Sequence, residues 1–168
     1  TITTSSGSGT ITIPSGVNLS GDSIFKNDEF FAYTVASSQS ISTATWTKVA
    51  LASAIISNSN FDTSSYKFTV PSGKGGTWHI GLSGNWETAG DFNNCIVEIR
   101  KNNSSATLLV SNIRQEHYEN NNASKIVPLS AGDSLELYCR QESGGAVNFR
   151  DSGTGESSGF MYGYRIGA

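Results

Sequence analysis

The sequence predicts an all-β protein, an antiparallel β-sandwich preceded by an irregular or strand-forming N-terminal arm. Three observations carry this. Apolar residues recur at every second position in run after run. In the clearest run, Trp78, Ile80, Leu82 and Trp86 alternate with His79, Gly81, Ser83 and Asn85. A period of two puts one set on one face of a strand. Eight or more such short runs are separated by clusters of Gly, Asn, Ser and Pro at regular spacing, as in sandwiches and barrels. Finally, 18 Gly and few strong helix formers argue against a helical chain. Charged residues make up only 15%, so Ser, Thr, Asn and Gly must supply the polar surface.

The central stretch is residues 60–86, NFDTSSYKFTVPSGKGGTWHIGLSGNW. Tyr66, Phe68 and Val70 alternate with Lys67 and Thr69, and Pro71 ends the run because it has no N–H for a ladder. Gly73, Gly75 and Gly76 then provide the corner before the Trp78 strand. This stretch resembles a signature of the C1q/TNF-like domains: an Asp-turn-Lys-Phe-Thr-Val-Pro run, then Gly, an aromatic and an alternating apolar strand. The resemblance implies a TNF-like jelly roll over residues 25–168.

Residues 1–24 are of low complexity, Thr and Ile around Ser-Gly-Ser-Gly, broken at Pro14-Ser15-Gly16. They form either a flexible, edge-pairing terminus or the end of a fibrous stalk. Short Thr/Ser/Gly/Ile strands of this kind resemble segments of bacteriophage tail-fibre and capsid-fibre proteins. The chain opens on a polar Thr-Ile-Thr-Thr with no signal-peptide pattern, and the missing start Met predicts a processed or trimmed chain.

In EFFAYTV, residues 29–35, Phe31, Tyr33 and Val35 share a face, similar to the family's first strand. Residues 36–45 read as a polar loop. In residues 46–56, Val49, Ala52 and Ile56 suit a helical face, while Val49, Leu51 and Ile55 suit short strands. The family pattern favours strands. After Trp86 comes a loop, then CIVEIRKNN, a Lys-Asn turn and the return strand ATLLVSNI, which together make a hairpin. Residues 115–124 are polar and Asn-rich and read as an exposed loop. A second match follows in Leu129-Ser130-Ala131-Gly132-Asp133. Gly132 suits a positive φ, Asp133 can bond the nearby backbone, and Leu135, Leu137 and Cys139 then point inward. Residues 144–159 read as a short strand and a loop. In the last strand, FMYGYRIG, Phe160, Tyr162, Tyr164 and Ile166 are expected on the core face, opposite Met161, Gly163 and Arg165. Its aromatic-Gly-aromatic pattern resembles the closing strand of the TNF version of the fold.

Cys95 shares a face with Val97 and Ile99, so it and Cys139 are both expected in the core. They stand there as free thiols or as a disulfide between sheets. Packed sheets lie about 10 Å apart and a bridge needs Cα atoms within about 7 Å, which weighs toward free thiols.

In the TNF-like family the Trp78, Leu137 and Tyr162 strands correspond to an inner sheet around a threefold axis. The resemblance therefore implies a homotrimer with His79, Gly81, Tyr138, Arg140, Met161, Gly163 and Arg165 at or near the axis, and with an arginine pairing Glu136 across subunits. No residue is assigned a catalytic, cofactor-binding or metal role. His79 and His117 lie in no catalytic motif. Asp91, Asp151 and Glu156 occupy glycine-containing loops without EF-hand spacing, so calcium stays open and unassigned. Sequons at Asn18, Asn102, Asn103 and Asn122 matter only in a eukaryotic secretory route. Trp78 and Trp86 read as core, and Trp46 is undetermined.

A net charge of -3 gives nucleic acid no electrostatic reason to bind, and no apolar run approaches the roughly 20 residues of a membrane span. The expected function is a non-enzymatic, trimeric binding head of a phage virion, at a fibre tip or on the capsid. Its arm would join other virion proteins, and its loops near 87–94, 115–124 and 150–158 would contact a host-surface glycan or protein. The alternatives are a secreted C1q/TNF-like ligand or lectin and, further off, a polysaccharide-degrading tail component.

Overall fold

The computed structural model describes residues 3–4, 11–12, 30–56, 60–87, 94–103, 107–113, 120–150 and 159–167. Every helical or strand element among them is a strand, and every strand pairing is antiparallel. In the arm, β1 (Thr3–Thr4) pairs with β2 (Ile11–Thr12). There follow β3 (Phe30–Thr34), β4 (Gln39–Ile41), β5 (Thr47–Lys48), β6 (Ser53–Ile56), β7 (Phe61–Asp62) and β8 (Lys67–Thr69). The long β9 (Gly76–Glu87) precedes the hairpin β10 (Cys95–Lys101) and β11 (Thr107–Ile113). The chain closes with β12 (Asn120–Leu129), β13 (Ser134–Gln141), β14 (Val147–Phe149) and β15 (Phe160–Gly167).

Two sheets face each other. The first runs β11-β10-β13-β8-β7. Along the edge of β13 away from β10, β8 pairs near its start, at Ser134 and Leu135, and β5 near its end, at Tyr138 and Cys139. The second sheet runs β4-β14-β9-β15-β3-β6, with β12 along the other edge of β9. The length of β9 lets it hold β12 on one side and both β15 and β14 on the other.

Between the sheets lies one apolar core, built by the alternation seen in the sequence. Trp78, Ile80, Leu82 and Trp86 enter from β9, Val97 and Ile99 from β10, Leu135 and Leu137 from β13, and Phe31 and Tyr33 from β3. Aromatic rings cross the middle. Phe31 stacks on Phe68 with centroids 4.0 Å apart, Tyr33 on Phe61 at 3.7 Å, and Phe149 meets Trp86 edge-on at 5.1 Å. The turn before β13 forms as its residues predict. Gly132 has φ +86°, and the Asp133 carboxylate accepts the Ser130 N–H at 2.7 Å.

Four sequence expectations change. Residues 36–45 are not all loop, since β4 crosses them and Ile41 is fully buried. Only 47–48 and 53–56 of the 46–56 stretch are strand; Val49 and Leu51 are buried between them, but Ile55 points outward. Residues 120–124, expected in a loop, begin β12. Their polarity hides a buried hub: Asn121 accepts the Trp86 indole N–H at 2.8 Å and donates to the carbonyls of Cys95 at 3.1 Å and Ser111 at 3.0 Å. A buried polar group with all partners in place can sit in a core strand at little cost.

The fourth change is the facing of β15. Met161 is 0% exposed and Gly163 is buried, while Phe160, Tyr162 and Tyr164 lie on the outer surface and Ile166 is exposed. Register decides this. Met161 stands opposite Leu82 and Tyr33, and Gly163 opposite Ile80 and Phe31. Directly opposed residues share a face, and those four are core. A Cβ at 163 would come within 2.7 Å of the Phe31 ring, so glycine is what lets that ring fill the space.

Candidate functional site

The sandwich presents two outer faces of different chemistry, and the seven residues expected around one axis do not form one surface. His79 and Gly81 lie on the outer face of the β9–β15 sheet. Tyr138 and Arg140 lie on the outer face of the other sheet, because β13 pairs with β10 rather than β9. Met161 and Gly163 point into the core between them. Arg165 donates from Nε and Nη2 to the Gly75 carbonyl at 3.2 and 3.0 Å. The expected pairing of Arg140 or Arg165 with Glu136 is replaced within the chain, where Lys48 holds Glu136 and Arg140 Nη2 meets Glu142 at 2.7 Å.

The outer face of the β9–β15 sheet is aromatic and almost uncharged. Tyr162 lies over Gly81, where a Cβ would strike its ring at 2.3 Å. The His79 ring sits between Tyr162 at 5.8 Å and Tyr164 at 5.0 Å, and Phe160 follows Tyr162 at 6.0 Å. The Nδ1 atom of His79 is buried with no hydrogen-bond partner among the described residues. Ile126 of β12, opposite His79, is 60% exposed, and Ile56 of β6 extends the apolar surface at the far edge. Period two showed that β15 has an aromatic face but could not say which side it takes. Gly163 is the one hint within the strand, and its meaning depends on Phe31, which strand pairing brings opposite it.

The outer face of the β10–β13–β5 surface is charged and paired. The Arg100 guanidinium lies 4.1 Å from the centre of the Tyr138 ring and 4.7 Å from that of Trp46. Its Nε donates to Glu98, whose other carboxylate oxygen accepts from Thr107 at 2.7 Å. Burial pushes the Tyr138 hydroxyl above its ordinary pKa, the nearby Glu136 charge adds to this, and Arg100 opposes it. Off this face, at the turn before β13, Lys101 meets Asp133 at 2.6 Å. Burial pushes Asp133 upward, but Lys101, the Asn102 amide and the Ser130 N–H outweigh it and leave the carboxyl below its usual value.

Cys95 and Cys139 are free and buried, on neighbouring strands of the same sheet rather than across sheets. Burial raises both thiols, Cys95 to about 12. No group of three or more His, Cys, Asp or Glu poised for a metal occurs among the described residues. His117, Asp91, Asp151 and Glu156, and the loops at 88–93 and 151–158, lie outside those residues, as do 115–119.

No protein-family model matches the chain, and no curated protein matches its sequence. Solved structures do match its shape. Murine APRIL at pH 5.0 superposes with a TM-score of 0.61 at 10% identity, over 82% of this chain and 98% of that one. Eiger TNF from S. frugiperda gives 0.59 at 11%, over 83% and 94%. The globular domain of zebrafish complement 1qA gives 0.57 at 10%, over 83% and 98%. This chain is thus an antiparallel all-β jelly roll of the TNF and C1q type.

Proposed function

We propose that the protein is a non-enzymatic, homotrimeric structural and binding head of a phage virion, at a fibre tip or on the capsid surface, adhering to a host-surface glycan or protein. The observation that carries the trimer is the outer face of the β9–β15 sheet. Phe160, Tyr162, Tyr164, His79, Ile126 and Ile56 make a broad apolar and aromatic surface that offers a charged partner no counter-ion. Its best cover is the same surface on other copies, and the likeness of the fold to TNF and C1q domains supports a threefold arrangement. The axis residues in this reading are His79 and Gly81, kept from the sequence, with Tyr162 and Tyr164 in place of Met161 and Gly163. Tyr138, Arg140 and Arg165 fall outside the axis.

The virion setting rests on the Thr/Ser/Gly-rich arm, which joins the head to other virion proteins. Adhesion without bond chemistry fits a chain whose histidines and carboxylates fall in no catalytic motif. Three sites on one rigid body raise weak contacts to useful avidity.

Light scattering after size exclusion tests the trimer. The expected mass is three times 17.8 kDa. Tyr162→Glu, on the outer face, should shift it toward the monomer while the circular dichroism stays that of a folded β protein. A monomeric native chain, or a Tyr162→Glu chain that stays trimeric, overturns this interface.

A further inference from the structure

We infer that Trp46, on the outer face of the β10–β13–β5 surface, is the stacking platform of a binding site for a neutral pyranose sugar. This names the ligand class and the site within the adhesion reading above, and rests on that reading.

Trp46 stands apart from the other two tryptophans. Trp78 and Trp86 are sealed in the core, whereas Trp46 is 38% exposed. It is also held in place. The Arg100 guanidinium covers one face of its ring, and Arg100 is itself fixed by Glu98 and by the Tyr138 ring. Glu98 is in turn held by Thr107. With that guanidinium in place Trp46 still keeps 38% of its surface exposed, which is the area a flat apolar surface would stack on. A ring already immobilised loses little entropy when a ligand stacks on it.

The charges select the kind of ligand. Three cations share this face, and each has its own anion: Arg100 with Glu98, Lys48 with Glu136, and Arg140 with Glu142. The surface is rich in fixed donors and acceptors yet carries no excess charge. A charged ligand would find no unmatched partner. A neutral sugar instead offers a C–H face to the ring and hydroxyls that both donate and accept.

One acceptor is unspent. Glu136 is 3% exposed, and its Oε2 has no hydrogen-bond partner among the described residues. Lys48 takes only Oε1 and covers the group with a side chain that is itself partly exposed. Lys48 lies two residues from Trp46, on the same face. A buried acceptor left unsatisfied is costly, and a sugar hydroxyl satisfies it once the partly exposed Lys48 side chain swings aside. The platform supplies stacking, and the Lys48–Glu136 pair supplies orientation.

The test is titration of the full-length chain with methyl α-D-glucopyranoside, methyl α-D-galactopyranoside and methyl α-D-mannopyranoside. D-glucuronic acid and N-acetylneuraminic acid serve as charged comparators. Saturation-transfer NMR and tryptophan fluorescence are the readouts. Saturable binding of at least one neutral glycoside is expected, with a Kd of about 1 mM, as suits one stacked ring and few hydrogen bonds. Trp46→Ala should weaken it about tenfold or more, and Trp46→Tyr, which keeps an aromatic face, should stay within about threefold. Absence of saturable binding to all three neutral glycosides overturns the assignment. So does binding confined to the two acids, or binding unchanged in Trp46→Ala. Light scattering and host-cell adhesion of the same proteins separate the two readings. Adhesion that persists undiminished in a trimeric Trp46→Ala chain overturns the platform and leaves the trimeric head standing. A monomeric native chain overturns the trimeric head, and the glycoside titration still decides the platform.

Discussion

At the scale of single residues, the side chain whose meaning changes most is Met161. As a residue on an outer axis its replacement by Glu would separate subunits. As a fully buried residue opposite Leu82 and Tyr33, its loss empties the core. Met161→Ala should destabilise the fold by about 2–5 kcal/mol, read from the urea midpoint, and Met161→Glu should fail to fold rather than yield a folded monomer. Asp133 makes a pH prediction. Its folded pKa lies below the unfolded carboxylate value of about 3.9, so its contribution is complete above that value and is lost as pH falls through the folded pKa. Melting temperature should therefore drop as pH goes from 5 to 3, and Asp133→Asn should flatten that drop. The thiols make a third. With Cys95 pushed up to about 12 and Cys139 also raised, neither forms thiolate at pH 8. Iodoacetamide should leave the native chain unlabelled and label two cysteines after denaturation, as intact mass would show.

At the scale of elements, alternation was legible in almost every strand, but its direction was not. For β9 and β13 the large apolar set was the inward set, and reading the bulkier parity as core worked. In β15 that rule fails, because both parities carry apolar residues and the bulkier one lies outside. Only pairing with β3 and β9 shows that the Phe31 ring already occupies the space at 163. Gly163→Ala should consequently lower stability by at least about 1 kcal/mol in thermal or urea unfolding, since the buried Phe31 ring has no room to retreat. Strand β12 was missed for the opposite reason. An Asn-rich stretch has the composition of a loop, and its hydrogen bonds to Trp86, Cys95 and Ser111 come from residues distant in sequence.

At the scale of the whole molecule, the aromatic and the charged outer faces lie on opposite sides of one sandwich, so the proposed assembly face and the proposed ligand face do not compete. Light scattering with and without EDTA should give the same trimer mass, because the proposed contact is apolar. A trimer that dissociates in EDTA would instead make the loop carboxylates a calcium site. The sequence by itself determined the all-β class, the strand spacing, the Gly132-Asp133 turn and most of the core, because period-two alternation and turn chemistry are local properties of a chain. Only the tertiary structure decided which sheet holds β13, which way β15 faces, and that Trp46, Arg100 and Tyr138 form a single stack. Those facts depend on contacts between residues tens of positions apart, where strand pairing and competition for core volume decide and no local pattern carries the information.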